Sequence, residues 1–126
     1  MFGFLRKKPV EYFLDTEIHS HLLPGLDDGV QSWEESLGII KELYELGVKR
    51  LVTTPHIMSD YYPNSADKIM ELATILQTKL MEEKLPVKLS AAAEYYMDEQ
   101  LLNMINNERL LTFGDNYILV LSLIHI

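Results

Sequence analysis

The residue types best suited to chemistry in this 126-residue sequence are imidazoles and carboxylates, gathered at three places. Ile18-His19-Ser20-His21 runs into Leu22-Leu23-Pro24-Gly25-Leu26-Asp27-Asp28-Gly29, Thr54-Pro55-His56 follows, and Ala91-Ala92-Ala93-Glu94 comes last. Residues two apart in an extended chain face the same side, so His19 and His21 project together and can chelate one ion. Pro24-Gly25 turns the chain and returns Asp27 and Asp28 toward the same rim. Pro55 removes a backbone donor and fixes the turn that carries His56. The three alanines before Glu94 are small enough to admit close neighbours. Mixed imidazole and carboxylate ligands favour Mn, Fe or Zn. Ions bridged by carboxylates about 3.5–4 Å apart suit hydrolysis of phosphate esters, where one ion activates water and another neutralises the leaving group.

Each of these segments alone has a plainer role. Asp27-Asp28-Gly29 is a serviceable turn ahead of a helix N-terminus, where acidic residues are favoured by the dipole. His56 alone would be a polar loop residue, and Glu94 a solvated strand end. Their joint occurrence carries the metal reading, because each set falls at the end of a strand. In parallel α/β folds the C-terminal strand ends form the active-site rim.

The elements that must position these residues follow from the apolar pattern. Tyr12–Ile18 reads as a first strand. Ser32 opens a helix with Glu35 completing a capping box, Leu37, Ile40, Leu43, Tyr44 and Leu46 facing inward, and Gly47 closing it. Arg50–Thr54 is a second strand. Asn64 or Ser65 caps a second helix with a stripe of Ile69, Leu72, Ala73, Leu76 and Leu80. Val87–Ala93 is a third strand, and Asp98–Asn106 a third helix with Leu101, Leu102 and Ile105 inward. Met97 and Met104 are expected in the core. A fourth strand begins over Asn116–Val120. Strands alternating with helices indicate βαβ units and parallel pairing, hence an α/β fold. Four such strands suit either an open doubly wound sheet or the first half of a closed barrel. Periodicity does not choose between them.

Composition bounds the function. The sequence has no cysteine, which excludes disulfides and thiolate ligands. A net charge of −8, from 11 basic and 19 acidic residues, argues against a nucleic-acid surface. No apolar run approaches the roughly 20 residues of a membrane span, and the N-terminus lacks the order of a secretory signal, so the expected setting is the cytoplasm. Tyr61-Tyr62 and Tyr95-Tyr96 could stack on an aromatic substrate, though packing explains them as well. The end of the chain, Tyr117–Ile126, is apolar without a turn, cap or polar tail, as expected of a fragment.

These motifs together resemble the signature of bacterial PHP-domain protein tyrosine phosphatases, manganese-dependent enzymes associated with capsular and exopolysaccharide synthesis. The resemblance rests on Ile18–Gly29, Glu34-Glu35-Ser36-Leu37, Gly47-Val48, Thr53-Thr54-Pro55-His56, Tyr62-Pro63-Asn64 and Ala93-Glu94-Tyr95-Tyr96-Met97-Asp98. It implies a distorted (β/α)7 barrel with up to three Mn ions at the C-terminal rim. By position, His19 and His21 would bind one ion with Glu94, which bridges to a second. Asp28 and His56 would serve the third, and Asp27 would orient ligands from behind them. The implied reaction is hydrolysis of phosphotyrosine on the tail of a bacterial tyrosine kinase. A histidinol-phosphate phosphatase-like or polymerase-associated PHP domain, or a non-catalytic fragment that only binds a partner, are the rival expectations.

The sequence departs from that pattern late. Leu121 stands where the family expects a glutamate, and the later histidines, Asp-x-His pair and phosphate-binding arginines have no counterpart. The expected organisation is therefore a flexible extension at 1–11, the N-terminal half of the phosphatase domain at 12–120, and a non-native tail at 121–126. A full barrel has about 250 residues, so the chain as written is expected to be catalytically defective.

Overall fold

In the computed structural model the chain is described over residues 15–107 and 110–122. The expected extension at 1–11, residues 12–14 of the first strand, and residues 123–126 of the expected tail lie outside them. The elements are β1 (Thr16–Glu17), α1 (Trp33–Glu45), β2 (Arg50–Thr53), β3 (His56–Ile57), α2 (Ala66–Glu82), β4 (Lys88–Ala91), β5 (Glu94–Tyr96), α3 (Glu99–Asn107) and β6 (Leu119–Leu121).

The second and third strands expected from the sequence each continue past a break as a second short strand. Pro55, lacking an N–H, interrupts the ladder between β2 and β3, and Ala92-Ala93 separates β4 from β5. Two parallel sheets result, ordered β1-β2-β4 and β3-β5-β6. They are joined where Ala92 N–H donates to Thr53 O and Glu94 N–H donates to Pro55 O, both at 2.9 Å. The register places His56 beside Glu94 and Glu94 beside Leu119. This is a mixed α/β fold with parallel strands, as the alternation of elements requires.

Helix α1 starts where expected, with the Ser32 hydroxyl accepting from Glu35 N–H. The reciprocal half of the capping box is displaced by one residue, because the Glu35 carboxylate accepts from Gln31 N–H at 2.8 Å. The helix ends in a Schellman arrangement. Gly47, at φ 106, donates to Tyr44 O and Val48 donates to Leu43 O. Ile40 is buried on the inner face, but Tyr44 and Leu46, expected inward, are exposed. Helix α2 is capped by Ser65, and Ile69, Ala73, Leu76 and Leu80 form its buried stripe.

The C-terminal third departs furthest from expectation. On α3 only Leu101 is buried, with Met104 half-buried against the core, whereas Leu102 and Ile105 are 62% and 52% exposed. Asp98 fixes the helix start by accepting from Leu101 N–H at 3.0 Å, and that start turns Leu101 and Met104 inward. Met97, expected in the core, is exposed. Asn116, at φ 69, sits in a turn bridged by Phe113 and Tyr117, so β6 begins later than expected and ends at Leu121. Among the described residues no helix is long and apolar enough to cross a membrane.

Candidate metal centre

The chain after β1 is stitched to the end of β2 by hydroxyls. Ser20 N–H donates to Thr54 Oγ1, Ser20 Oγ donates to Val52 O, and Leu22 N–H donates to Thr53 Oγ1. Thr54 N–H returns a 2.6 Å hydrogen bond to Ser20 O. Ser20 is thereby fixed between the two histidines, which both reach Glu94 on β5.

Glu94 is the meeting point. Its Oε2 lies 3.4 Å from His19 Nε2, 3.0 Å from His21 Nε2 and 3.2 Å from His56 Nδ1. Asp28 Oδ1 lies 3.3 Å from His56 Nε2 and its side chain is 68% exposed. Asp27 turns the other way into full burial. It accepts from His21 Nδ1 at 2.7 Å, Gly29 N–H at 2.9 Å and His56 N–H at 2.9 Å. Gly29 admits this closeness, because a Cβ there would stand 2.5 Å from both His21 Cβ and His21 O. Two sets of ligand atoms each fall within 4.8 Å of one another: His21, Asp27, Asp28 and His56, and His19, His21 and Glu94.

The electrostatics call for a cation between these groups. A neutral His21 gives its one proton to Asp27 through Nδ1, which leaves the Nε2 lone pair facing a carboxylate oxygen. Only a second proton or a metal ion makes that contact attractive. The hydrogen bond that His21 donates to Asp27 raises the His21 pKa above its ordinary 6.5; burial opposes this, and the charges of Asp27, Glu94 and Asp28 reinforce it. For Asp27, burial works against the charge, but its hydrogen bonds outweigh burial and hold the carboxyl below its ordinary 3.8. His56 Nδ1 is buried with no hydrogen bond, despite its nearness to Glu94. A buried imidazole nitrogen without a hydrogen bond beside a carboxylate fits the donor set of a metal site.

Every residue singled out by the sequence thus converges: His19, His21, Asp28, His56 and Glu94 around one rim, with Asp27 behind His21. Four further residues were not given a role at the metal site by sequence reasoning. Thr53 and Thr54 anchor the histidine segment, as above. Asn64, considered only as a helix cap, donates through Nδ2 to both His56 O and Leu26 O at 2.8 Å, tying together the two loops of the site. Tyr62 stacks on His56 with ring centroids 5.5 Å apart and planes at 11°. The signal for Asn64 and Tyr62 was their place in the Tyr62-Pro63-Asn64 motif, but motif membership alone does not disclose a contact.

A parallel α/β scaffold that brings three imidazoles to one buried carboxylate defines a candidate metal-dependent α/β domain. The family model described as capsular polysaccharide synthesis, CpsB/CapC, matches residues 15–122, and the chain belongs to that family. The match includes Leu121 and Ser122, past the limit at which family-like sequence was expected to stop. Tyrosine-protein phosphatase YwqE of Bacillus subtilis (strain 168) is 27% identical over 105 residues, covering 82% of this chain and 41% of the relative. Tyrosine-protein phosphatase CpsB of Streptococcus pneumoniae is 30% identical over 102 residues, covering 79% and 41%. A solved structure, described with YwqE from Bacillus subtilis and CpsB from Streptococcus pneumoniae as unique metal-dependent tyrosine phosphatases, aligns with a TM-score of 0.76 at 26% identity. That alignment covers 85% of this chain and 44% of the other. The chain spans about two fifths of the length of the curated relatives it matches.

Proposed function

We propose that this chain carries the metal-binding rim of a metal-dependent protein tyrosine phosphatase. Its substrate is phosphotyrosine on a bacterial tyrosine kinase that regulates capsule or exopolysaccharide synthesis, in the cytoplasm. The observation that carries this reading is the convergence of His19, His21 and His56 on Glu94 Oε2 within 3.4 Å. The setting is the N-terminal part of a distorted (β/α)7 PHP barrel that begins near residue 12 and includes Leu121 and Ser122, since the family model matches through residue 122. This is supported by the all-parallel strand order.

His19, His21 and Glu94 would hold one ion, Glu94 would also serve a second, and Asp28 with His56 a third; the ions would be Mn, with Fe or Zn as alternatives. Bound there, divalent ions supply the charge that activates water and neutralises phosphoryl oxygens. Asp27 holds the His21 proton on Nδ1, which turns Nε2 toward the ion, the usual carboxylate–histidine–metal arrangement. Asp28 is a carboxylate of the site that is open to solvent. The burial of Asp27, Glu94 and His56 excludes water from behind the ligands.

The test is hydrolysis by a form extended to the relatives' length, loaded with Mn²⁺ and offered a phosphotyrosine peptide, histidinol phosphate and DNA ends. Turnover of the phosphopeptide, lost on His19→Ala with His21→Ala, is expected. Turnover that survives both substitutions would refute the metal site. Hydrolysis of another ester in preference to phosphotyrosine would refute the substrate assignment and leave the site standing.

A further inference from the structure

The half-buried His21 and the buried His56 are oriented by different means. His21 is fixed by its hydrogen bond to Asp27. The backbone of His56 is held by Asp27 and Asn64, but its ring Nδ1 makes no hydrogen bond, and its two nitrogens face only the carboxylates of Glu94 and Asp28, at 3.2 and 3.3 Å. Tilted against one side of that ring is His21, with centroids 4.6 Å apart, and stacked nearly parallel to it is Tyr62.

Tyr62 has no freedom to drift. It closes a tight hairpin in which Met58 and Tyr62 exchange N–H···O bonds, both at 2.9 Å. At the hairpin's first loop position, Ser59 Oγ donates to Asp98 Oδ2 at 2.9 Å. Asp98 is itself immobilised, since its Oδ1 accepts from Leu101 N–H at the start of α3. Burial disfavours the Asp98 charge, but these hydrogen bonds prevail and keep the carboxyl below its ordinary 3.8. A continuous set of contacts therefore runs from α3 through Asp98, Ser59 and the hairpin to Tyr62 and the His56 ring.

We propose that Asp98 is a positioning residue for the metal centre, latching the Met58–Tyr62 hairpin through Ser59 so that Tyr62 fixes the plane of His56. The proposal rests on the metal-dependent reading above and deepens it. Asp98 touches neither ion nor substrate and acts only through the hairpin. A ligand whose ring plane wanders binds its ion more weakly, which is why partners behind metal ligands are costly to remove.

The experiment uses the 126-residue chain and two readouts: the His56 ring proton resonances by NMR without metal, and Mn²⁺ affinity by titration calorimetry. Ser59→Ala removes the hydroxyl bond and leaves the α3 cap intact, so loss of helix start cannot explain its effect. It is expected to shift the His56 ring signals toward their unstacked positions and to weaken Mn²⁺ binding about three- to tenfold. Asp98→Ala should do both more strongly, and Ser59→Thr, which restores the hydroxyl, should recover both. Combined with Tyr62→Ala, the Ser59→Ala effect on affinity should largely vanish, because both act on one ring. Unchanged His56 signals in Asp98→Ala, or full additivity of Ser59→Ala with Tyr62→Ala, would overturn the proposal. Failure of the parent chain to bind Mn²⁺ would refute the metal reading instead, and the ring signals would still decide the positioning role.

Discussion

On α2, Ile69, Ala73, Leu76 and Leu80 are buried in one stripe that makes no directional bond. At the rim, Asp27 alone receives three hydrogen bonds, two of them from residues that also approach Glu94 or Asp28. The helix layer is held by the amount of apolar surface removed from water, and that tolerates repacking. The rim is held by atoms at fixed places, and a shift of half an ångström there breaks a ligand set. Stability and metal affinity should therefore respond to different residues.

Leu76→Ala is expected to cost the most stability, about 2–5 kcal/mol for a fully buried leucine, with Mn²⁺ affinity unchanged below the melting transition. Thermal denaturation and calorimetric titration of the same sample check both halves. Loss of affinity in the folded variant would break the distinction. Gly29→Ala comes next. The new Cβ must displace His21 or the loop backbone, costing about 1–3 kcal/mol, and Mn²⁺ binding should fall more steeply than stability does. Asp27→Asn keeps the shape but removes the charge behind His21. A ten- to hundredfold loss of affinity is expected, and an affinity equal to the parent's would show that the tautomer of His21 is set by something else.

The smallest effect is the pH dependence of the metal-free chain. His21 holds its proton above its ordinary 6.5, so its contribution is complete below pH 6.5 and is lost as pH rises through the raised value. Asp27 sits below its ordinary 3.8; its contribution is present above pH 3.8 and lost as pH falls through the lowered value. Melting temperature should decline gently from about pH 6.5 upward. Mn²⁺ affinity should move the opposite way over the same range, because proton and metal compete for His21.

What could be read in the sequence divides along the same line. The α2 stripe, the Ser65 cap and the Gly47 terminus follow from local pattern, and the rim residues follow from motif and strand-end placement. Leu102 and Ile105 face solvent because helical periodicity gives an apolar face but not the rotation set where α3 starts at Asp98, and Met97 lies ahead of that helix, where no helical period applies. The pattern ends the second strand at Thr54 and the third at Ala93 but does not disclose β3 and β5 beyond them, since apolar runs do not mark where a ladder changes sheet. Tyr62 and Asn64 escaped a site role because their partner, His56, is reached through a hairpin whose closure no short-range signal records.

The central claim is that Glu94, whose Oε2 lies within 3.4 Å of three imidazole nitrogens, is a metal ligand. Titrating the chain with Mn²⁺ at neutral pH in buffers of different ionisation enthalpy measures affinity and proton release together. Saturable binding with release of protons is expected, as the ion competes with protons for the imidazoles, and both should disappear in Glu94→Gln. Binding of equal strength in Glu94→Gln, or binding without proton release, would contradict it.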